Sequence, residues 1–305
     1  MSRHVISLRD LTDGDLEWIV RRGVEIAAGP ADAGASLRGR IVGIYFSRTS
    51  TRTRTSFTAG ALRLGAQVIT YGPGDLQLNT GETAEDTARV LGGMVDGLVI
   101  RTAGPPEEMR TFAAHCGAVV NAMSADEHPT QALADLTTLS ARFGRVKGLR
   151  VLYVGEGNNS AAALALALPR FGGVELELRT PPGYGLAPEV LADATALAEV
   201  SGSRVRERHD LASLPGKVDV VYTTRWQTTG STKADPDWRR RFEPFQVDEA
   251  VMARYPGACF MHDLPAHRGE EVTAAVLDGP ASIAFEQAQH KLYSAMAVLE
   301  WCLAR

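Results

Sequence analysis

The chain has 305 residues, 45% of them hydrophobic and 22% charged, with a formal net charge of -4. That length suits two domains, and the acidic balance argues against a general nucleic-acid binder, which needs a basic field. No run approaches the roughly 18 apolar residues of a membrane span, and the start, MSRHVISLRDLTDGDL, has no apolar signal core.

Between residues 39 and 137, short β-rich runs alternate with helical patterns. RIVGIYF (40–46) reads as a buried strand, and RTRTSFTAGALRLG (52–65) as a helix with Phe57, Ala61 and Leu64 along its apolar stripe. AQVITYG (66–72) is a strand, TAEDTARVLGGMV (83–95) a helix and DGLVIRT (96–102) a strand. LADLTTLSARFGRVKG (133–148) predicts a helix with a glycine-containing stop, bridging to a second alternation. That alternation runs from LRVLYVGEG (149–157) through SAAALALALPRFG, VELELRTPPGY, PEVLADATALAEVSG and VDVVYTTRW to CFMHDLPA (259–266). EQAQHKLYSAMAVLEWCLA (286–304) is a long closing helix. The predicted fold class is α/β: two doubly wound parallel-sheet domains joined by bridging helices, the C-terminal helix closing back on the first domain. The first domain comprises residues 1–137 with helix 286–305, and the second residues 138–285. Ligands of such sheets bind beyond the carboxyl ends of the strands.

One stretch at such an end stands out. FSRTSTRTRTSF (46–57) concentrates arginines and hydroxyls where a strand hands over to a helix. A helix N-terminus offers unpaired amides and the positive end of the dipole. Ser50, Thr51 and Thr53 add hydroxyl donors, and Arg52 adds a planar fork matched to phosphate oxygens. The combination predicts a phosphate site, rather than a capped helix with solvated arginines, and it is no Walker loop. Cys116, Cys259 and Cys302 are far apart with no CxxC pair, so they read as buried thiols. His115, His128, His209, His262, His267 and His290 are scattered, and neither metal nor cofactor is implied. A cytoplasmic enzyme or binding protein is the expectation.

STRTR (50–54) followed by HPTQALADL (128–136), with DTARVLGGMVDGLVIRT (86–102) and HDLPAHRGEEV (262–272) in the same order, resembles the aspartate/ornithine carbamoyltransferase family. The resemblance spans nearly the whole chain and implies transfer of a carbamoyl group from carbamoyl phosphate to an amine. It implies that Ser50, Thr51, Arg52 and Thr53 hold the phosphate, with Arg101 reaching the same group, and that His128 and Gln131 polarise the carbamoyl oxygen. Leu264 supplies a carbonyl beside the carbamoyl group, and Lys291 stands where ornithine enzymes carry an arginine near its oxygen. Family members are trimers with shared sites, so Gln77 of DLQLNTGET is expected to reach a neighbouring subunit's phosphate. Carbamoyl phosphate and a small amine are the implied partners, with no nucleic acid and no membrane.

The acceptor half departs from both well-known patterns. Asn159 in GEGNNS falls where ornithine enzymes bind the amino acid's backbone groups; a nucleotide loop is the weaker alternative, because the third glycine is absent. Thr224 replaces the aspartate that pairs with ornithine's α-ammonium, and Thr228 and Thr229 replace a Ser-Met pair. TRWQ (224–227) resembles the Thr-Arg-x-Gln of aspartate enzymes, so Arg225 and Gln227 read as a carboxylate clamp or, more plainly, a surface loop. Asp263 stands where ornithine enzymes have cysteine and aspartate enzymes proline. A carboxylate there faces the incoming amine and can accept its proton, or it caps the following turn. The reading is a carbamoyltransferase acting on a small carboxylate-bearing amine. Ornithine is the alternative, then aspartate, then a catalytically silent regulatory relative, which would need no complete donor set.

Overall fold

A computed structural model describes residues 3–29, 35–228, 230 and 232–304. The chain divides into two compact units, Met1–Ala141 with Gln289–Arg305, and Arg142–Ala288.

In the first unit, helix α1 (Asp13–Ala28) starts at Thr12, whose hydroxyl accepts from the Asp15 amide while the Asp15 carboxylate accepts from the Thr12 amide. There follow β1 (Ile41–Phe46), α2 (Arg52–Arg63), β2 (Gln67–Tyr71), α3 (Ala84–Gly92), β3 (Gly97–Arg101), α4 (Glu107–Ala113), β4 (Val119–Asn121) and α5 (Pro129–Phe143). The sheet is parallel with strand order β2-β1-β3-β4. The order reverses between β1 and β3, so the ends of these two strands frame the crevice where such sheets take ligands. Both central strands read as unbroken apolar runs because both their faces are covered; Val42, Ile44, Val99 and Ile100 are wholly buried.

The second unit repeats the plan with β5 (Arg150–Val154), α6 (Asn159–Ala167), β6 (Glu175–Arg179), α7 (Pro188–Ser201), β7 (Arg204–Arg208) and β8 (Val220–Thr223). It continues through α8 (Trp238–Phe242), α9 (Glu249–Ala253), β9 (Cys259–His262) and α10 (Ala274–Leu277) to α11 (Ala284–Leu303). Its parallel sheet has the order β7-β6-β5-β8-β9, with the reversal between β5 and β8. Every residue of α6 is buried, which is why its sequence, NSAAALALA, shows no polar face.

The predicted fold class holds, and the unit boundaries fall inside α5 and α11. The bridging helix begins at Pro129, earlier than the pattern predicts, and stops at Gly144, whose φ of 69° suits glycine. The alternation reading passes over α1, α4, β4, β7 and the short helices α8, α9 and α10. β4 has three residues, and β7, RVRER, is an edge strand whose outward charges hide its period. Cys116 and Cys259 are buried, with thiols pushed up to about 11 by burial, and Cys302 is half-buried. Among the described residues, no helix is long and apolar enough to cross a membrane.

Candidate active site

The residues expected to hold the donor lie at the carboxyl edge of the first sheet. β1 ends at Phe46, which pairs with Arg101 of β3. The Ser47 amide and hydroxyl both donate to the Arg101 carbonyl, at 3.0 and 3.3 Å. Arg101 is only 7% exposed, so a guanidinium is held inside the fold at a strand end. The chain then turns through half-buried Ser50 into α2, whose N-cap, Thr51, makes no side-chain capping bond. The positive end of the α2 dipole sits at this edge. Thr53 is buried, Arg52 half-buried and Thr51 exposed.

His128 and Gln131 stand at the start of α5, where the Gln131 amide donates to the His128 carbonyl at 2.9 Å. The His128 ring is buried, with Nδ1 3.3 Å from the Thr130 hydroxyl. Burial, and behind it the charges of Arg101 and Lys291, hold this imidazole well below the usual histidine range. It is therefore neutral at neutral pH, and Arg101, His128 and Lys291 form one electrostatic neighbourhood. Gln131 Nε2 donates to Asp135 Oδ1 at 2.8 Å, and the buried Oε1 has no hydrogen-bond partner among the described residues. Gln77 is exposed and opens a tight turn, Gln77–Thr80, in which its carbonyl and Oε1 accept from the Thr80 hydroxyl.

The residues expected to hold the acceptor lie at the ends of β5, β8 and β9 in the second unit. Asn158 caps α6, its Oδ1 accepting from the Ser160 and Ala161 amides, and buried Asn159 is the first residue of that helix. Asn158 Nδ2 donates to Thr224 Oγ1 at 3.0 Å, Thr224 Oγ1 is 2.8 Å from Tyr153 Oη, and Tyr153 donates to the Glu156 carbonyl at 2.6 Å. Burial pushes the Tyr153 phenol well above its usual range, so it is a donor, and the Thr224 hydroxyl is committed to this chain. The threonine in place of the expected aspartate thus braces the strand ends.

Asp263 follows β9. Its carboxylate accepts from the Ser160 hydroxyl at 2.9 Å, whereas the Leu264 amide donates to His262 Nδ1 at 2.8 Å. The turn after β9 is thus capped by His262 and not by Asp263. His262 is wholly buried, with Nε2 3.2 Å from the Glu271 carboxylate. Leu264 has φ +52°, a left-handed conformation that a branched side chain rarely adopts, so the surrounding bonds fix where its carbonyl points. Arg225 is half-buried, and its buried Nε has no hydrogen-bond partner among the described residues. Gln227 is half-buried beside it, and Trp226, between them, packs on Phe242. Thr229 lies outside the described residues.

Residues 3–141 match the model of the aspartate/ornithine carbamoyltransferase carbamoyl-P binding domain, and residues 147–302 that of the Asp/Orn binding domain. The chain belongs to the aspartate/ornithine carbamoyltransferase family. It is 38% identical to an ornithine carbamoyltransferase of Parafrankia sp. (strain EAN1pec), over 99% of this chain and 96% of the relative. To that of Methanothermobacter thermautotrophicus it is 36% identical, over 98% and 95%. Among solved structures, ornithine carbamoyltransferase from Pyrococcus furiosus superposes with a TM-score of 0.91 at 35% identity, covering 99% of this chain and 97% of that one. The enzyme is a carbamoyltransferase, its first unit matching the donor domain and its second the amino-acid domain.

Several residues that support these candidates escape the motif reading. Ser160, which holds Asp263, and Asp135, which orients Gln131, sit one or four residues from a motif residue and carry no signal alone. Glu156 is the acidic residue of GEGNNS, and its partner Lys233 lies in a loop with no pattern. The two glycines of GEGNNS have packing reasons. At Gly157 a Cβ would lie 2.2 Å from the Gly185 carbonyl carbon, and Gly155 has φ +135°.

Proposed function

We propose that the enzyme transfers the carbamoyl group of carbamoyl phosphate to the primary amine of a small acceptor whose carboxylate is held by Arg225. The observation that carries the acceptor class is the buried Nε of that half-buried arginine, a charged donor in the second unit that has no hydrogen-bond partner among the described residues.

The first unit holds and activates the donor. Ser50, Thr51, Arg52 and Thr53, at the positive end of the α2 dipole, take the phosphate together with Arg101. Neutral His128 donates to the carbamoyl oxygen as negative charge builds on it, and the Lys291 ammonium stabilises the same charge. Gln131 presents an acceptor rather than a donor, because Asp135 takes its amide nitrogen; the open Oε1 suits the carbamoyl NH₂. Leu264 is assigned to the same group by resemblance.

The second unit holds the acceptor through Arg225 and Gln227, with Asn159 at the head of α6. The free amine attacks the carbamoyl carbon, the bond from that carbon to the phosphate ester oxygen breaks, and its electron pair leaves with phosphate. The proton lost by the amine passes to Asp263, whose carboxylate is oriented by Ser160. Ornithine is the second reading, favoured by the names of the relatives. Against it stands the Thr224 hydroxyl, which is uncharged and already engaged.

A homotrimer in the cytoplasm completes the proposal. Gln77 is exposed, and the exposed large apolar side chains Leu62, Ile69, Val90 and Met94 lie in its unit, as an intersubunit role requires. Arg225→Gln tests the acceptor assignment. Loss of a charge-assisted contact of about 3 kcal/mol raises the acceptor KM roughly a hundredfold and leaves the carbamoyl phosphate KM within about threefold. An unchanged acceptor KM would refute the clamp.

A further inference from the structure

Three carboxylates act on Tyr153 at the strand ends of the second unit: Asp263, Glu156 and Glu207. Their commitments differ. Glu207 accepts from the Thr180 hydroxyl and the Leu186 amide, both at 2.9 Å. Asp263 accepts from Ser160. Glu156 is ion-paired with Lys233, and the Thr228 hydroxyl lies 3.4 Å from its other oxygen.

The Lys233 ammonium is more than a salt-bridge partner. Its side chain is 5% exposed, and Nζ sits 5.3, 5.2 and 5.1 Å from the ring centroids of Tyr184, Trp238 and Phe242. A carboxylate with three aromatic faces is the chemistry of an ammonium-binding site. Here that site is built from the segments that follow β5, β6 and β8, at the reversal of strand order where such a sheet takes its ligand. The chain fills it with its own lysine.

We propose that Lys233 is a specificity-determining residue: by occupying the Glu156 carboxylate from within, it leaves a second ammonium group on the acceptor without an anion. The enzyme thereby selects carboxylate-bearing acceptors with a single amine. This rests on the acceptor class proposed above and narrows it. Thr224 removes one anion from the strand ends and Lys233 neutralises another, so both changes have the same sign. Asp263 remains for the reacting amine.

The test compares ornithine with δ-aminovalerate, the same molecule without its α-amine. Dissociation constants are measured by calorimetry with inorganic phosphate present, on the wild-type enzyme, Lys233→Met, Lys233→Arg and the double variant Lys233→Met/Glu156→Gln. The wild type and Lys233→Arg bind δ-aminovalerate at least as tightly as ornithine. Lys233→Met, which keeps apolar bulk among the rings, shifts the ratio toward ornithine by about tenfold, the scale of one added ion pair in a partly buried site. The double variant loses that gain. Lys233→Gln replaces Lys233→Met if the latter does not fold. An unmoved ratio overturns the inference, as does a shift that survives in the double variant, or a wild type that prefers ornithine tenfold. Binding of neither compound by any of the proteins overturns the carboxylate-acceptor reading itself, and the inference with it.

Discussion

His128 carries a measurable signature of its setting. A folded-state pKa held below that of the unfolded chain means that, under about pH 6.5, the unfolded chain takes up a proton that the folded one refuses. Stability is therefore full above that pH and falls as the medium acidifies toward the depressed folded value. Melting curves of wild type and His128→Gln from pH 7.5 to 5 should converge on the acid side, because the variant lacks this penalty. Parallel curves would show that the imidazole is not held neutral. At this scale the donor set was legible, since STRTR, the Arg of DGLVIR and HPTQ each pair a residue type with a strand or helix end. The states of these residues were not. That Arg101 is buried, that Gln131 is turned acceptor-outward by Asp135 and that the Thr224 hydroxyl is spent on Tyr153 and Asn158 all depend on neighbours distant in sequence.

Elements place these residues where chemistry can use them. α2 begins without a side-chain cap, as α4, α7 and α8 do, whereas α1, α3, α6, α9 and α10 each have one. Gly157 lets the β5–α6 turn approach the segment after β6, with its amide donating to the Tyr184 carbonyl at 2.8 Å. Because a Cβ there would overlap the Gly185 and Leu186 backbone, Gly157→Ala should lower the melting temperature by about 5 °C or more and raise the acceptor KM. A variant as stable and active as wild type would mean that the turn yields freely. The strand-helix alternation exposed most elements because buried parallel strands are continuously apolar. It failed for β7 and β4, where edge charge and brevity erase the pattern.

For the whole molecule, two parallel sheets, each with a switch point, carry the carbamoyl-P and Asp/Orn binding domains in separate units, and the proposal gives the donor to the first and the acceptor to the second. The assembly is open to direct measurement: sedimentation should give three times the chain mass of 32.7 kDa, and a monomer at working concentration would remove the part given to Gln77. The central claim is the acceptor class. Phosphate release from carbamoyl phosphate should be followed with ornithine, δ-aminovalerate, aspartate, lysine, shorter diamino acids and putrescine. The prediction is turnover with an amine that carries a carboxylate, none with putrescine, and no dominance by ornithine. Ornithine turned over far above every other amine, or putrescine matching the amino acids, would contradict it.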